Sequence, residues 1–541
     1  MSVQKTFGTF LVILVAALFR KKFFCGFSSV ALLAAGLCFL SVTSVQAYIR
    51  LPSVLNSNMV LQRDIPLKIW GKAEENEKIK VSFCGQNLET IADKDGFWQV
   101  VLKPVKAGGP FEMTVAGSVS EDPKVLVNIL VGDVWVCSGQ SNMAFDVQNC
   151  LNPKEEIENA NYSEIRFFDS VRTVSKNEKW NLSGKWVACS PKTVKGFSAV
   201  AYFFGRELYK ELKIPIGLIN SSWGGTPAES WMSRKALESE TDFLPILYWW
   251  EEKLEKYPAA KKIYEKQVKT WQALAQKEQS AGRPAPPPPP APNGSSTDPW
   301  MPSGLYNSMI YPITNFGIKG AIWYQGESNA DRSYQYRKLF PALITDWRKA
   351  WGQGDFPFFF VQLAGFGLGG SLWGELREAQ LMTLSLPKTG MAVAIDIGDR
   401  TDIHPKNKQE VGRRLALNAL KVAYNKDIVY SGPIYDKMVV EGKKIRIYFK
   451  NVGSGLSVGQ GDDELIGFKV GNSKHRFSTA NAVIEKNTVV VWSDDIDDPI
   501  AVRYGWADLP KCNLYNKEGL PASPFRTDDF QGLTYNRLRV Y

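Results

Sequence analysis

Hydrophobic and polar positions along the chain fall into three regimes. Between residues 48 and 124, apolar residues alternate with polar ones over short stretches, as in Leu67-Lys68-Ile69-Trp70, Ile79-Lys80-Val81-Ser82-Phe83 and Phe97-Trp98-Gln99-Val100-Val101-Leu102, the last preceded by an Asp95-Gly96 turn signal. A period of two buries one face of a strand, so this segment predicts a small β-sandwich. From about residue 125 the strands become continuously apolar and are separated by longer helical patterns. That alternation implies βαβ units and a parallel sheet. Strands are expected at 125–136, 214–220, 320–324, 356–362 and 391–396, and helices at 197–212, 334–351, 372–384 and 407–424. From about residue 427 the pattern is β again, with Lys444-Ile445-Arg446-Ile447-Tyr448-Phe449 and Thr488-Val489-Val490-Val491-Trp492 as clear strands. The expected division is a β module at 48–124, an α/β core at 125–425 and a β-rich region at 426–541, with no internal repeat.

The core is interrupted at about 234–299. Residues 237–279 read as amphipathic helices rich in Lys, Glu and aromatics, and a proline run at 286–290 follows. Such a run favours an extended polyproline II spacer. At the N-terminus, Arg20-Lys21-Lys22 precede an apolar run at 30–40 and then Val45-Gln46-Ala47. This is the pattern of a signal peptide spanning 1–47, and its apolar core is shorter than the ~20 residues that cross a bilayer. A secreted or periplasmic protein with no membrane span after cleavage is the expectation.

Charge then changes little. The chain carries +10, of which Lys5, Arg20, Lys21 and Lys22 lie in the leader, so the remaining residues carry +6. No basic-aromatic cluster accompanies that charge, which argues against a nucleic-acid role. Cysteines 84, 137, 150, 189 and 512 are dispersed without a Cys-x-x-Cys pair, which argues against a zinc site and a disulfide framework, leaving room for one bridge from Cys137 or Cys150 to Cys189. The two histidines, His404 and His475, are the tighter bound: any histidine base is one of them.

Four segments that follow expected strands carry candidate chemistry. Gly139-Gln140-Ser141-Asn142-Met143 places a serine hydroxyl at a strand-to-helix turn, where the bland alternative is a helix cap. It lacks the second glycine of a G-x-S-x-G elbow. Ser222-Trp223-Gly224-Gly225-Thr226-Pro227, leading to Glu229 and Trp231, offers backbone N–H groups for an oxyanion. In Trp323-Tyr324-Gln325-Gly326-Glu327-Ser328-Asn329, the Gln325 amide is a candidate further donor, and Glu327 could orient the loop. Asp396-Ile397-Gly398-Asp399-Arg400-Thr401-Asp402-Ile403-His404-Pro405 sets a carboxylate two residues from a histidine, which can hold its tautomer. In an open parallel sheet, ligands bind beyond the carboxyl ends of strands. One fold can therefore gather all four segments. His475, in the trailing β region, has no such context and reads as a surface residue.

These motifs, together with Lys408 and Val411-Gly412-Arg413-Arg414-Leu415, resemble those of the sialate O-acetylesterases of the SGNH-hydrolase superfamily over roughly residues 50–541. The resemblance implies a flavodoxin-like α/β/α three-layer core with flanking β-sandwich-like domains. It implies Ser141 as nucleophile, His404 as base, and Asp402 as the group orienting His404. Thr401 stands where the superfamily's Asp-x-x-His has its aspartate, which leaves Asp399, or a Ser–His dyad, as alternatives. The oxyanion hole would comprise the Ser141 N–H, the Gly225 or Gly224 N–H and the Gln325 amide. Trp223, Glu229, Trp231 and Glu327 are candidates for contact with an acetylated sugar or glycan, and no metal or organic cofactor is called for. An esterase for acetylated plant or microbial polysaccharide (xylan, mannan, pectin) and a non-catalytic glycan-binding surface protein are the competing readings. The oligomeric state is not legible.

Overall fold

The computed structural model describes residues 49–120, 122–367, 370–459 and 461–539. The expected signal peptide lies outside them. Among the described residues, no helix is long and apolar enough to cross a membrane.

Six parallel strands build the central sheet: β1 (Lys124–Gly139), β2 (Tyr162–Asp169), β3 (Ile216–Ser222), β4 (Gly320–Tyr324), β5 (Phe358–Gln362) and β6 (Thr389–Val393). Their spatial order is β6-β5-β4-β1-β3-β2, with Trp186–Cys189 antiparallel on the β2 edge. The helices that concern the site are α1 (Ser141–Ala144), α2 (Ala199–Leu212), α3 (Leu244–Ser280), α4 (Ser333–Trp351), α5 (Leu372–Met382) and α6 (Lys408–Val422).

The three layers follow from register. Trp135 of β1 pairs with Gly320 of β4, so both point to one face, and Trp323, three residues further along β4, points to the other. Trp135 meets Phe204 of α2 at 5.1 Å between ring centroids, whereas Trp323 meets Phe340 and Trp347 of α4 at 6.3 and 5.8 Å. Helix α6 lies beside α2, where a side chain at Gly412 would come within 2.5 Å of Phe203 Cβ.

Strand β1 has 16 residues and serves two neighbourhoods. Its first half pairs antiparallel with Gly108–Gly117 and parallel with Val60–Gln62, and its second half lies between β3 and β4. The expected boundary near residue 124 thus falls at the start of a strand that carries one sheet into the other. One hydrophobic core accordingly runs from Ile49 to Leu420, and a second, from Ile445 to Phe525, lies under the C-terminal strands. Strand β2 escapes the hydrophobic pattern because Glu164 and Arg166 interrupt it, although Ile165 to Phe168 are buried.

The interruption of the core opens with a short helix, Arg234–Glu238, and continues as one long helix, α3, of 37 residues, about 55 Å at ~1.5 Å per residue. The proline run returns along it: Trp271 Nε1 donates to the Pro286 carbonyl at 2.8 Å. All five cysteines among the described residues are free, so neither Cys137 nor Cys150 is bridged to Cys189.

Candidate active site

At the carboxyl end of the sheet, Gly139 pairs with Ser222 on one side and with Tyr324 on the other. Three of the four motifs therefore begin at the same level of adjacent strands, where the chain switches direction across the sheet. Gly139 has φ +136°, and a Cβ there would lie 2.2 Å from the Tyr324 carbonyl oxygen, so only glycine fits. The chain then turns sharply into α1, with Gln140 as N-cap and Ser141 as the first helical residue. Ser141 is therefore not a cap. Its half-buried hydroxyl makes no hydrogen bond among the described residues, which is compatible with catalytic contacts that tighten when substrate binds.

Gly224 lies against this serine: a Cβ at 224 would be 3.2 Å from Ser141 Cβ. No acceptor among the described residues takes the N–H of Ser141, Gly224 or Gly225. Gly225, at φ +72°, is exposed and has open space around it, so Gly224 is the glycine that adjoins Ser141.

The fourth motif leaves β6. Arg414 of α6 grips Asp396 with bonds of 2.6 and 2.7 Å and also donates to the Val393 carbonyl, which anchors the loop base. Asp399 accepts from Thr401 N, Thr401 Oγ1 and Asp402 N, and these bonds hold its carboxyl below the usual range. Asp402, in contrast, faces the histidine: its Oδ1 accepts from His404 N at 2.8 Å and lies 3.3 Å from His404 Nδ1. The imidazole is partly exposed and stacks on Phe145, just past α1, at 6.2 Å and 22°.

Four carboxamide side chains bind the motifs to one another. Gln140 Oε1 accepts from the Gly326 and Ser328 amides. Asn142 Nδ2 donates to Glu327 Oε1 at 2.7 Å and to the Ile403 carbonyl at 3.0 Å. Asn329 Oδ1 accepts from Ala228 N, and Gln325 donates to the Thr226 carbonyl. Every motif is thereby tied to at least one other by a buried amide whose donors and acceptors are used.

Several expectations are corrected here. Gln325 is fully buried, and both its amide hydrogens are committed, to the Thr226 carbonyl and to Asn329 Oδ1, while its Oε1 accepts from Tyr336. It has no donor left for an oxyanion and braces the loop instead. Glu229 is buried, ion-paired to Arg332 at 2.7 Å and hydrogen-bonded to Asn329, so it does not reach a sugar. Trp231 is core: it donates to Thr226 Oγ1 and packs edge-on against Trp323. Glu327 turns its Oε1 to Asn142, and its other oxygen is buried without a partner. Trp223 remains half-buried beside Gly224. Asn142, Asn329, Arg332 and Lys408 join the site although no spacing in the sequence marks them as partners.

Burial dominates the local electrostatics. It pushes the Lys408 amine down to about 7, against the pull of Glu327 and Asp402, and it raises the Glu327 carboxyl. Among the described residues, no group of three or more His, Cys, Asp or Glu side chains is placed to hold a metal ion. What the geometry offers is a serine with uncommitted amides around it, and a histidine–aspartate pair on a loop tied to the next residue of the chain.

Comparison with known proteins bears on this arrangement. Residues 131–282 and 289–421 match the family described as "Carbohydrate esterase, sialic acid-specific acetylesterase". The chain is similar to the sialate O-acetylesterase of Mus musculus, with 33% identity over 88% of this chain and 94% of the relative, and to that of Homo sapiens, with 31% identity over 88% and 92%. Among solved structures, a carbohydrate acetylesterase from Xanthomonas citri superposes with a TM-score of 0.76 and 37% identity, covering 89% of this chain and 100% of that one.

Proposed function

The chain belongs to the sialic acid-specific acetylesterase family of carbohydrate esterases, and from that membership we propose that it removes O-acetyl groups from sialic acids through an acetyl-serine intermediate on Ser141. It is a carbohydrate O-acetylesterase, so the reading as a purely glycan-binding surface protein falls. The observation that carries the mechanism is the meeting of Ser141, the Gly224 backbone and the His404 loop at one end of the sheet.

His404 takes the Ser141 proton as the oxygen attacks the acetyl carbonyl, and returns it to the departing sugar hydroxyl. Asp402 holds the imidazole by its Nδ1 side and stabilises the imidazolium. The Ser141 and Gly224 N–H groups receive the charge that develops on the carbonyl oxygen, where one donor is worth about 10²–10³ in turnover. Water then attacks the acetyl-enzyme with His404 as base and releases acetate. Trp223, half-buried beside Gly224, is the aromatic surface left for the sugar.

The sialic acid preference rests on the named relatives, and residues 1–47 support secretion or a periplasmic location. An acetate-release assay comparing 9-O-acetylated sialic acid with acetylated xylan and mannan tests the substrate class. Faster release from the polysaccharides would overturn it, and normal turnover in Ser141→Ala or His404→Ala would overturn the mechanism.

A further inference from the structure

Behind the reacting groups lies a buried polar set that the hydrolysis itself does not use. Lys408, the first residue of α6, has no exposed surface. Its Nζ donates to Asn142 Oδ1 at 2.5 Å and lies 4.8 and 5.3 Å from the ring centroids of Phe145 and Tyr324. No carboxylate stands within ion-pair distance of it among the described residues. Glu327 is reached only through Asn142, which stands between the two. Burying an amine without a direct counter-charge is unfavourable, so this arrangement calls for a role beyond packing.

Asn142 has one orientation that satisfies its surroundings. The Lys408 ammonium can only donate, so it requires the amide oxygen, while the Ile403 carbonyl can only accept and requires the NH₂. Glu327 Oε1 accepts the second amide hydrogen. Asn142 directly follows Ser141, and Ile403 directly precedes His404. The amide held by Lys408 is therefore the strut that spans the two reacting segments.

We propose that Lys408 is a positioning residue for ester hydrolysis, acting through Asn142 to hold the Ser141 turn and the His404 loop at the separation that proton transfer requires. The inference rests on the reading of Ser141 and His404 as the reacting pair. Both the charged and the neutral amine carry N–H donors, so the strut persists in either state. Without a donor at 408, Asn142 Oδ1 is left buried and unpaired, so the amide is fixed from one end only and its bond to the Ile403 carbonyl is less firmly placed. A displacement of ~1 Å between reacting groups lowers turnover by about 10²-fold.

The test uses the full chain with 4-nitrophenyl acetate as probe. Lys408→Met is expected to lower kcat by roughly 10- to 100-fold, with KM changing by less than about threefold. Lys408→Gln keeps a neutral N–H donor and is expected to recover most of that loss. The double variant Lys408→Met/Asn142→Ala is expected to be no slower than Asn142→Ala, because both changes cut one strut. A normal kcat in Lys408→Met, equal losses in the Met and Gln variants, or additive losses in the double variant would overturn the proposal. Should Lys408→Met fail to fold by thermal melt, Lys408→Gln and Asn142→Ala decide: a kcat loss in Asn142→Ala at unchanged KM, with Lys408→Gln near wild type, is required. Ser141→Ala separates the two levels. Normal turnover there removes the reacting pair, whereas its loss alongside a normal Lys408→Met removes only the strut.

Discussion

A Cβ placed on Gly224 would stand 3.2 Å from Ser141 Cβ, so the second motif presses on the serine of the first. The contact is close enough that Ser141 must shift by a few tenths of an ångström to admit a methyl group. Gly224 has no positive φ, so alanine fits the backbone there. Gly224→Ala is expected to lower kcat by about 10-fold with little change in melting temperature, since near-attack geometry is sensitive to small displacements. Gly225 is the opposite case, with φ +72° and open space. Gly225→Ala is expected to lower stability by about 1 kcal/mol and leave kcat within about twofold. Steady-state kinetics beside thermal melts of the two variants distinguish these effects.

Asp402 and Asp399 divide the work of the His404 loop. Only Asp402 faces the imidazole, while Asp399 closes the turn through Thr401 and the Asp402 amide. Asp402→Asn is expected to lower kcat by about 10²–10⁴. Asp399→Asn weakens the turn and is expected to change kcat far less. A larger loss in the Asp399 variant would reassign the orienting carboxylate.

The Glu229–Arg332 pair is a buried brace under the Asn329 and Gln325 amides. Removing one partner of a buried ion pair strands the other charge, so Glu229→Gln is expected to lower unfolding free energy by about 3–5 kcal/mol. Denaturant unfolding measures it. A rise in KM for acetylated sugars at unchanged stability would return Glu229 to the substrate site.

Lys408 ties stability to pH with a definite sign. Burial holds its amine down to about 7 in the folded chain, against an ordinary value of 10.5. Between these limits the unfolded chain binds the proton more strongly than the folded one, so the Lys408 contribution to stability rises with pH from about 7 to about 10.5 and is flat below 7. Relative to Lys408→Met, wild type is therefore expected to gain stability as pH rises from 7.5 to 10. A gap that widens in the opposite direction would contradict the depressed amine.

The strand-following motifs were legible in the sequence because continuous apolar runs and glycine-rich turns are local signals; β4 lies at the residues expected, Gly224 adjoins Ser141, and Asn142 is hydrogen-bonded to Ile403 of the fourth motif. What was not legible depended on which way a side chain turns after its strand ends. Glu229 looks like a surface residue by type, yet a buried 3-10 turn, Ala228–Trp231, carries it inward together with Trp231. Gln325 had the chemistry of an oxyanion donor, but its hydrogens are spent on Thr226 and Asn329, residues 99 and 4 positions away. Asn142 and Lys408 lie 266 residues apart, and no spacing rule joins them. Strand β2 was hidden by the charges of Glu164 and Arg166 near the sheet edge.

The acyl-enzyme tests the account most directly. Quenching the protein during turnover of an acetyl ester and mapping the adduct by peptide mass spectrometry should place one acetyl group, about 42 Da, on Ser141, with none formed in Ser141→Ala. An acetyl group on another residue, or full turnover by Ser141→Ala with no adduct, would contradict it.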